Sequence, residues 1–264
     1  MGQKKIEAIL FDLGETLVNF GKFNRGTVFK EAGRRSYTFL KKLNQPVEGF
    51  RKYFWRNMLG LRLRYYISLI TGKDFDSLKL LEKYGTLKGF KLSPGQWQEL
   101  NWLWYEPLRQ RSWTEPDLAD TLNKLTGAGL TLGIISNTFV NSGALERHLA
   151  EEGLIRFFRT RLYSCDFGFR KPDKRIFLEA ARQIGTRPDN IMYVGDRINK
   201  DIKGALRAGM YAVLKNAYTN AGKKTPAGTE RIEQISQLPA LVEKINGDLS
   251  TLNTSEEEKN NSLT

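Results

Sequence analysis

The chain is poor in sulfur and imidazole: its 264 residues hold one cysteine, Cys165, and one histidine, His148. One cysteine excludes an internal disulfide, and the pair together excludes a zinc site of the Cys/His type. The shortage points to a reducing compartment. Any bound metal must take oxygen ligands, which favours magnesium or calcium. Long apolar runs are missing too, and no stretch approaches the roughly 20 residues of a membrane span. A soluble protein with no membrane partner is expected. The first residues, Met-Gly-Gln-Lys-Lys, run straight into an apolar segment without the pattern of a secretory signal, so a cytoplasmic location is expected.

Acids are scarce in one region. Between residues 19 and 112 there are nineteen Lys/Arg against seven Asp/Glu, whereas the rest of the chain has twenty-three against twenty-two. Almost all of the +13 net charge is therefore regional, which suggests two units of different character, one of them meeting anions.

Five short apolar segments end in Gly, Asp, Ser or Asn and read as buried strands: Ile6 to Asp12, Leu130 to Ser136, Arg161 to Ser164, Ile191 to Asp196 and Tyr211 to Leu214. The last four are separated by helical patterns, the rhythm of a doubly wound parallel α/β sheet. One helix is expected after Thr114, a second opened by Pro172, a third around Ile202 to Leu206 and a last one near Leu238 to Ile245. The rhythm breaks from Asn19 to Ser112, which contains amphipathic stretches, basic pairs, four tryptophans and no good strand, and reads as an inserted α-helical subdomain. The predicted organisation is a core of residues 1–18 and 113–246, a helical insertion of 19–112, and a polar tail of 247–264 expected to be disordered.

In a parallel sheet, ligands bind beyond the carboxyl ends of the strands. Asp12 ends the first strand and Ser136-Asn137 the second, Arg170-Lys171-Pro172 follows the third, and Gly195-Asp196 ends the fourth with Asp201 close behind. Converging on one crevice, these groups make a set for phosphoryl transfer. It holds a carboxylate nucleophile, hydroxyl and amide donors for phosphate oxygens, a lysine against developing charge, and acids for magnesium. Each residue alone would be an ordinary cap or turn residue; their joint placement carries the reading.

The stretches FDLGETL, GIISNT, RKPDKRIF and VGDRINKDIKGALRAGM, in that order, resemble the haloacid dehalogenase-like hydrolase superfamily. The resemblance covers residues 1 to 18 and 113 to about 246. It implies a Rossmann-like core, with Asp12 attacking phosphorus to give an aspartyl phosphate that water cleaves. It further implies that Ser136 and Lys171 hold the phosphoryl group, and that Asp12, the Gly14 carbonyl and Asp196 ligate Mg2+. Asp201 would then support Lys171 or the metal's water, and the insertion would be a cap that closes over substrate. One departure stands out. The family's phosphatases usually carry a second Asp two residues after the nucleophile, as acid and base for the leaving oxygen and for water; here that position is Gly14. Such a group is worth about 10²- to 10⁴-fold in rate.

The expected activity is hydrolysis of small phosphate monoesters or other anionic substrates. Alternatives are a 2-haloacid dehalogenase, a phosphonate hydrolase, and a catalytically retired binding protein, including one that holds nucleic acid through the basic insertion. Two intact acids beside Asp12 argue against the dehalogenase, because they repel the nucleophile unless a cation lies between them. Glu15 is expected to face away from Asp12, Cys165 to be a small residue near a strand end, and His148 to be exposed in a charged helix. Oligomeric state has no signal in the sequence.

Overall fold

In the computed structural model, which describes residues 5–247, the centre of the molecule is the strand β1, Ala8–Phe11, with all four side chains buried. It lies between β2, Thr131–Ser136, and β4, Ile191–Gly195. β3, Phe158–Tyr163, extends one side; β5, Tyr211–Lys215, and β6, Glu230–Ile232, extend the other. All neighbouring pairs are parallel. The chain thus builds outward from β1 in one direction and then returns to build in the other. The reversal between β1 and β4 opens a crevice at their carboxyl ends, and the register Phe11 to Val194 brings those ends level.

Side chains alternate across a strand, and β1 splits accordingly. Ile9 and Phe11 face one core layer with Leu122 and Leu125 of α5, Leu118–Gly127, and with Leu145 and Leu149 of α6, Ser142–Glu151. Ala8 and Leu10 face the other, with Ile176, Phe177 and Ala180 of α7, Lys174–Ile184, and Ala205 of α8, Lys203–Arg207. Helices on both faces make this a doubly wound α/β fold.

Between β1 and β2 lie four helices: α1, Arg25–Lys42; α2, Phe50–Thr71; α3, Ser77–Thr86; and α4, Pro94–Arg109. Their starts are written locally. Asn24 and Asp76 cap α1 and α3, while Ser93 and Gln96 form a reciprocal capping box on α4 with Pro94 at its first position. The four share a small core of Leu40, Tyr53, Trp97 and Leu100. α4 also sends Trp102 and Tyr105 into the main core, so it belongs to both. Where the insertion leaves and rejoins, Asn19 and Trp113 exchange two antiparallel backbone hydrogen bonds of 2.8 and 2.9 Å. A minority of the insertion's bases are paired among the described residues: Arg35 meets Glu31 and Glu106, Arg111 meets Glu31, and Arg56 meets Glu48. No helix among the described residues is long and apolar enough to cross a membrane.

Several boundaries differ from expectation. β3 begins at Phe158 rather than Arg161, because this edge strand alternates buried Phe158, Thr160 and Leu162 with Arg159 and Arg161, which breaks the apolar run. β6 was not expected; three residues, Glu-Arg-Ile, give no strand pattern alone and are held by pairing to β5. α7 starts at Lys174, two residues later than Pro172 suggested, capped by Asp173, whose carboxylate accepts from the Arg175 N–H. α5 starts at Leu118, and Glu115 instead accepts from Lys215 and from the Ile235 N–H. The last helix runs from 238 to 247; the remainder of the expected tail lies outside the described residues.

His148 is buried, not exposed, because α4 packs over its helix. Its Nδ1 lies 2.8 Å from Tyr105 Oη and its Nε2 3.1 Å from Ser112 Oγ. Burial, and then the Arg109 charge, push its pKa down to about 4. A base with a depressed native pKa stays neutral in the fold while the unfolded chain takes up a proton below about 6.5. Stability is therefore intact above 6.5 and falls as pH drops toward 4, by about 2–3 kcal/mol at pH 4.5. Urea melts at pH 7.5 and 4.5 should show that loss in the wild type and a flatter profile in His148→Gln; equal slopes would mean that His148 is protonated inside the fold.

Candidate active site

Asp12 stands one residue beyond β1, where its own N–H bonds the Val194 carbonyl at 2.8 Å and so ties it to β4. Its Oδ1 accepts from the Leu13 N–H and from Lys171 Nζ, each at 2.8 Å. One carboxylate oxygen is thus held, and the side chain keeps 12% exposure, which leaves the second oxygen open to the crevice.

Lys171 is 2% exposed and wholly engaged. Nζ lies 2.8 Å from Asp12 Oδ1, 2.6 Å from Asp201 Oδ1, 2.9 Å from the Ile135 carbonyl and 2.7 Å from Tyr193 Oη. Burial alone would pull the ammonium's pKa down, but Asp12 and Asp201 outweigh it and hold the pKa above its usual value. Its backbone is clamped from β2: Asn137 Nδ2 donates to the Lys171 carbonyl at 2.8 Å, and the Lys171 N–H donates to Asn137 Oδ1 at 2.9 Å. The Asn137 side chain, expected to bind substrate, thus also positions Lys171, with a second N–H to spare. Ser136 lies buried at the end of β2, next to the carbonyl that Lys171 grips.

Asp201 sits on a short π-helical turn, Ile198–Ile202, and reaches back under Gly195. A Cβ at Gly195 would lie 2.6 Å from Asp201 Cβ, so only glycine allows this approach. Asp201 Oδ2 accepts from the Arg197 N–H at 2.8 Å, which leaves Oδ1 for Lys171 and Tyr193. Asp196 Oδ2 accepts from Thr219 Oγ1 and meets Arg197 Nε at 3.3 Å. Its Oδ1 is buried without a partner among the described residues.

Oxygens of Asp12, Asp196 and Asp201 all lie within 4.8 Å of one another. All three carboxyls have raised pKa values. Burial is the main cause in each, with Asp196 repelling Asp12, Asp201 repelling Asp196, and Asp12 repelling Asp201. One buried lysine does not balance three buried acids, so the set favours a further cation. The unpartnered Asp196 oxygen and the all-oxygen donor set fit a hard divalent metal.

Glu15 turns away from this set. At φ +61° it places its carboxylate on the Phe20 and Gly21 N–H groups, at 3.0 and 3.1 Å, and stabilises the loop that leads into the insertion. Cys165 is buried beside the Val140 carbonyl, and burial pushes its thiol up to about 12. It is inert packing.

Three contributors escaped the sequence reading. Tyr193, in the middle of β4, links Lys171 to Asp201 through its hydroxyl; it looked like one more apolar strand residue. Thr219 holds Asp196 from the loop after β5, where no motif marks it. Asp74, between α2 and α3, bonds Arg170 Nη1 at 2.6 Å and Ser164 Oγ at 2.5 Å, so the insertion is fastened across the loops that follow β2 and β3. Beside it Phe75 stacks on Phe139, the Ser77 N–H donates to the Phe139 carbonyl, and Asp76 accepts from Asn141 Nδ2. An acid among many bases offers no pattern to find, and its role exists only once the chain is folded.

Comparison with known proteins agrees with this geometry. Residues 6–209 match the family model of the haloacid dehalogenase-like hydrolases. The chain is 28% identical over 245 residues to a pyrimidine 5'-nucleotidase of Escherichia coli, covering 90% of this chain and 98% of that one. It is 41% identical over 101 residues to a glyceraldehyde 3-phosphate phosphatase of Methanopyrus kandleri, covering 37% of this chain and only 41% of the relative. Among solved structures, a 2-haloacid dehalogenase of Pseudomonas syringae superposes with TM-score 0.57 at 25% identity, over 90% of this chain and 99% of that one. The match to the family model spans most of the core and the whole insertion, and the chain belongs to the haloacid dehalogenase-like hydrolases.

Proposed function

We propose that the protein is a magnesium-dependent phosphatase of phosphate monoesters that works through an aspartyl phosphate on Asp12. The observation that carries this is the pairing of a half-held Asp12 carboxylate with Lys171 inside a cluster of three acids. Asp12 uses its open oxygen to attack phosphorus, Lys171 and Ser136 stabilise the charge that gathers on the phosphoryl oxygens, and water then cleaves the acyl phosphate. Asp12, the Gly14 carbonyl and Asp196 hold Mg2+, with Asp201 keeping Lys171 in place. When bound, the ion offsets the acids' mutual repulsion and draws the anionic phosphoryl group to the nucleophile. Residues 19–112 act as a cap over a core of 1–18 and 113–246, and Asp74 fastens the closed form. The substrate is a phosphorylated anion, met in the cytoplasm.

Relatives named as phosphatases and as a nucleotidase support phosphoryl chemistry, while the absence of an acid at Gly14 is shared with metal-free halide chemistry and keeps the dehalogenase in the test. A panel of phosphate monoesters and 2-haloacids, assayed with Mg2+ and with EDTA, separates them. Phosphate release that requires Mg2+ is expected. Halide release that persists in EDTA would overturn the proposal.

A further inference from the structure

Behind the crevice, among α1, α2, α3, α4 and the loop after β2, lies a cavity of about 760 Å³. That is the size of sites that enclose drug-sized ligands. It far exceeds the space that a two- or three-carbon acid or sugar would need. Phe29, Phe54, Tyr65, Tyr84, Trp104 and Phe139 line it. Arg25, Lys30, Asn57 and Arg62 also line it, yet the wall is mostly apolar, which disfavours a polyhydroxylated group whose hydroxyls would lose water without regaining partners for each and favours flat or chain-like carbon.

None of the reacting groups lines the cavity, but both segments that leave the crevice run on into its walls. From β1, Phe20 comes within 3.7 Å of where a Cβ on Gly14 would stand, and Phe23 and Arg25 follow in the cavity wall. From β2, Ser136 and Asn137 lead within three residues to Phe139 and Val140 in the opposite wall. The wall also contains a polar group with capacity to spare. Asn101 is 3% exposed and accepts from Ser77 Oγ through its Oδ1, while its amide nitrogen has no protein partner among the described residues. That amide can meet an acceptor on the occupant.

A second observation narrows the class. With glycine at position 14, no carboxylic acid stands two residues from Asp12 to protonate the leaving oxygen. A phenolic oxygen ionises near about 10 and leaves as its anion. An alkoxide, whose conjugate acid resembles water at about 15.7, needs the proton. We propose that the cavity receives the organic part of the ester, and that the substrates are phosphate monoesters of large, mostly apolar aromatic alcohols. This rests on the phosphatase reading. The Asp12 carboxylate bonds to phosphorus as the P–O bond to the ring breaks, its electron pair going to the phenolate. Water then adds at phosphorus, returning the Asp12 carboxylate with inorganic phosphate and a proton released to solvent.

The test compares 4-biphenylyl phosphate, phenyl phosphate and glycerol 3-phosphate at saturating Mg2+, together with direct calorimetric binding of the product 4-phenylphenol. Phenyl and biphenylyl esters share a leaving-group chemistry, so their ratio reports the cavity. Burying the second ring should raise kcat/KM on the order of 10- to 100-fold, mostly through KM. Filling the space with Leu81→Trp, or separately Leu61→Trp, should collapse that ratio toward one and abolish 4-phenylphenol binding. Either variant serves if the other fails to fold. Turnover of phenyl phosphate and glycerol 3-phosphate with a biphenylyl ratio near one and no 4-phenylphenol binding overturns the inference and leaves the phosphatase standing. Binding of 4-phenylphenol with no ester hydrolysed overturns the phosphatase reading, and the cavity's assignment to an ester with it.

Discussion

Asp12→Asn is expected to lower phosphate release on the order of 10⁴-fold or more, the scale seen when a covalent nucleophile is removed, and to leave the protein folded. The amide has the same shape and can still accept from the Leu13 N–H and from Lys171 Nζ, which keeps its contacts to Asp201, Tyr193 and the Ile135 carbonyl. What disappears is a charge that the site resists: burial and the neighbouring Asp196 both raise the Asp12 carboxyl above its usual range. Without metal the variant should therefore melt no lower than the wild type. With metal it should gain less, since one anionic ligand has gone and the ion stabilises the fold only as far as it binds. Thermal melts with and without Mg2+ and a single-turnover phosphate assay measure both effects. A residual rate above about one per cent in a well-folded variant would be far beyond what this loss allows and would place the nucleophile elsewhere.

Much of this site was legible in the sequence because a parallel sheet buried on both faces writes its strands as nearly continuous apolar runs. Each run stops where the chain enters the crevice, so Asp12, Ser136 and Asp196 stand out as polar residues directly after apolar ones. Lys171 was found through its neighbours Arg170 and Pro172. The capping residues Asn24, Asp76 and Ser93 are equally local signals.

The rest depends on contacts that no local pattern encodes. β6 is too short to show alternation and exists because β5 offers it an edge. His148 looks like one more charged-helix residue until α4 covers it. Tyr193 shares the apolar character of its strand, and only the arrival of Lys171 from earlier in the chain and Asp201 from later gives its hydroxyl work. The fastening of the insertion by Asp74 joins residues 90 and 96 positions apart in sequence. Asn137 has a second role that its position after the second strand did not suggest: both ends of its side-chain amide bond the Lys171 backbone.

Gly14→Asp should raise the turnover of alkyl phosphates such as glycerol 3-phosphate by about 10²- to 10⁴-fold, the usual worth of a general acid-base, and that of phenyl phosphate by no more than about tenfold, because its leaving group needs little help. The backbone admits the change. Gly14 is not among the positive-φ residues, and a Cβ there would meet only Phe20 Cε2, at 3.7 Å, an ordinary van der Waals contact. A carboxyl at this position would join a neighbourhood that already raises the pKa values of Asp12, Asp196 and Asp201. Burial and like charge favour its protonated form, the state required to give a proton to an alkoxide. The ratio of alkyl to aryl kcat in the two proteins is therefore the measurement that decides. A tenfold or smaller change in both esters, in a folded variant, would show that the missing proton donor is not what limits the native enzyme. A large rise confined to alkyl esters would mean that glycine at this position is what restricts the native site to alcohols able to leave unprotonated.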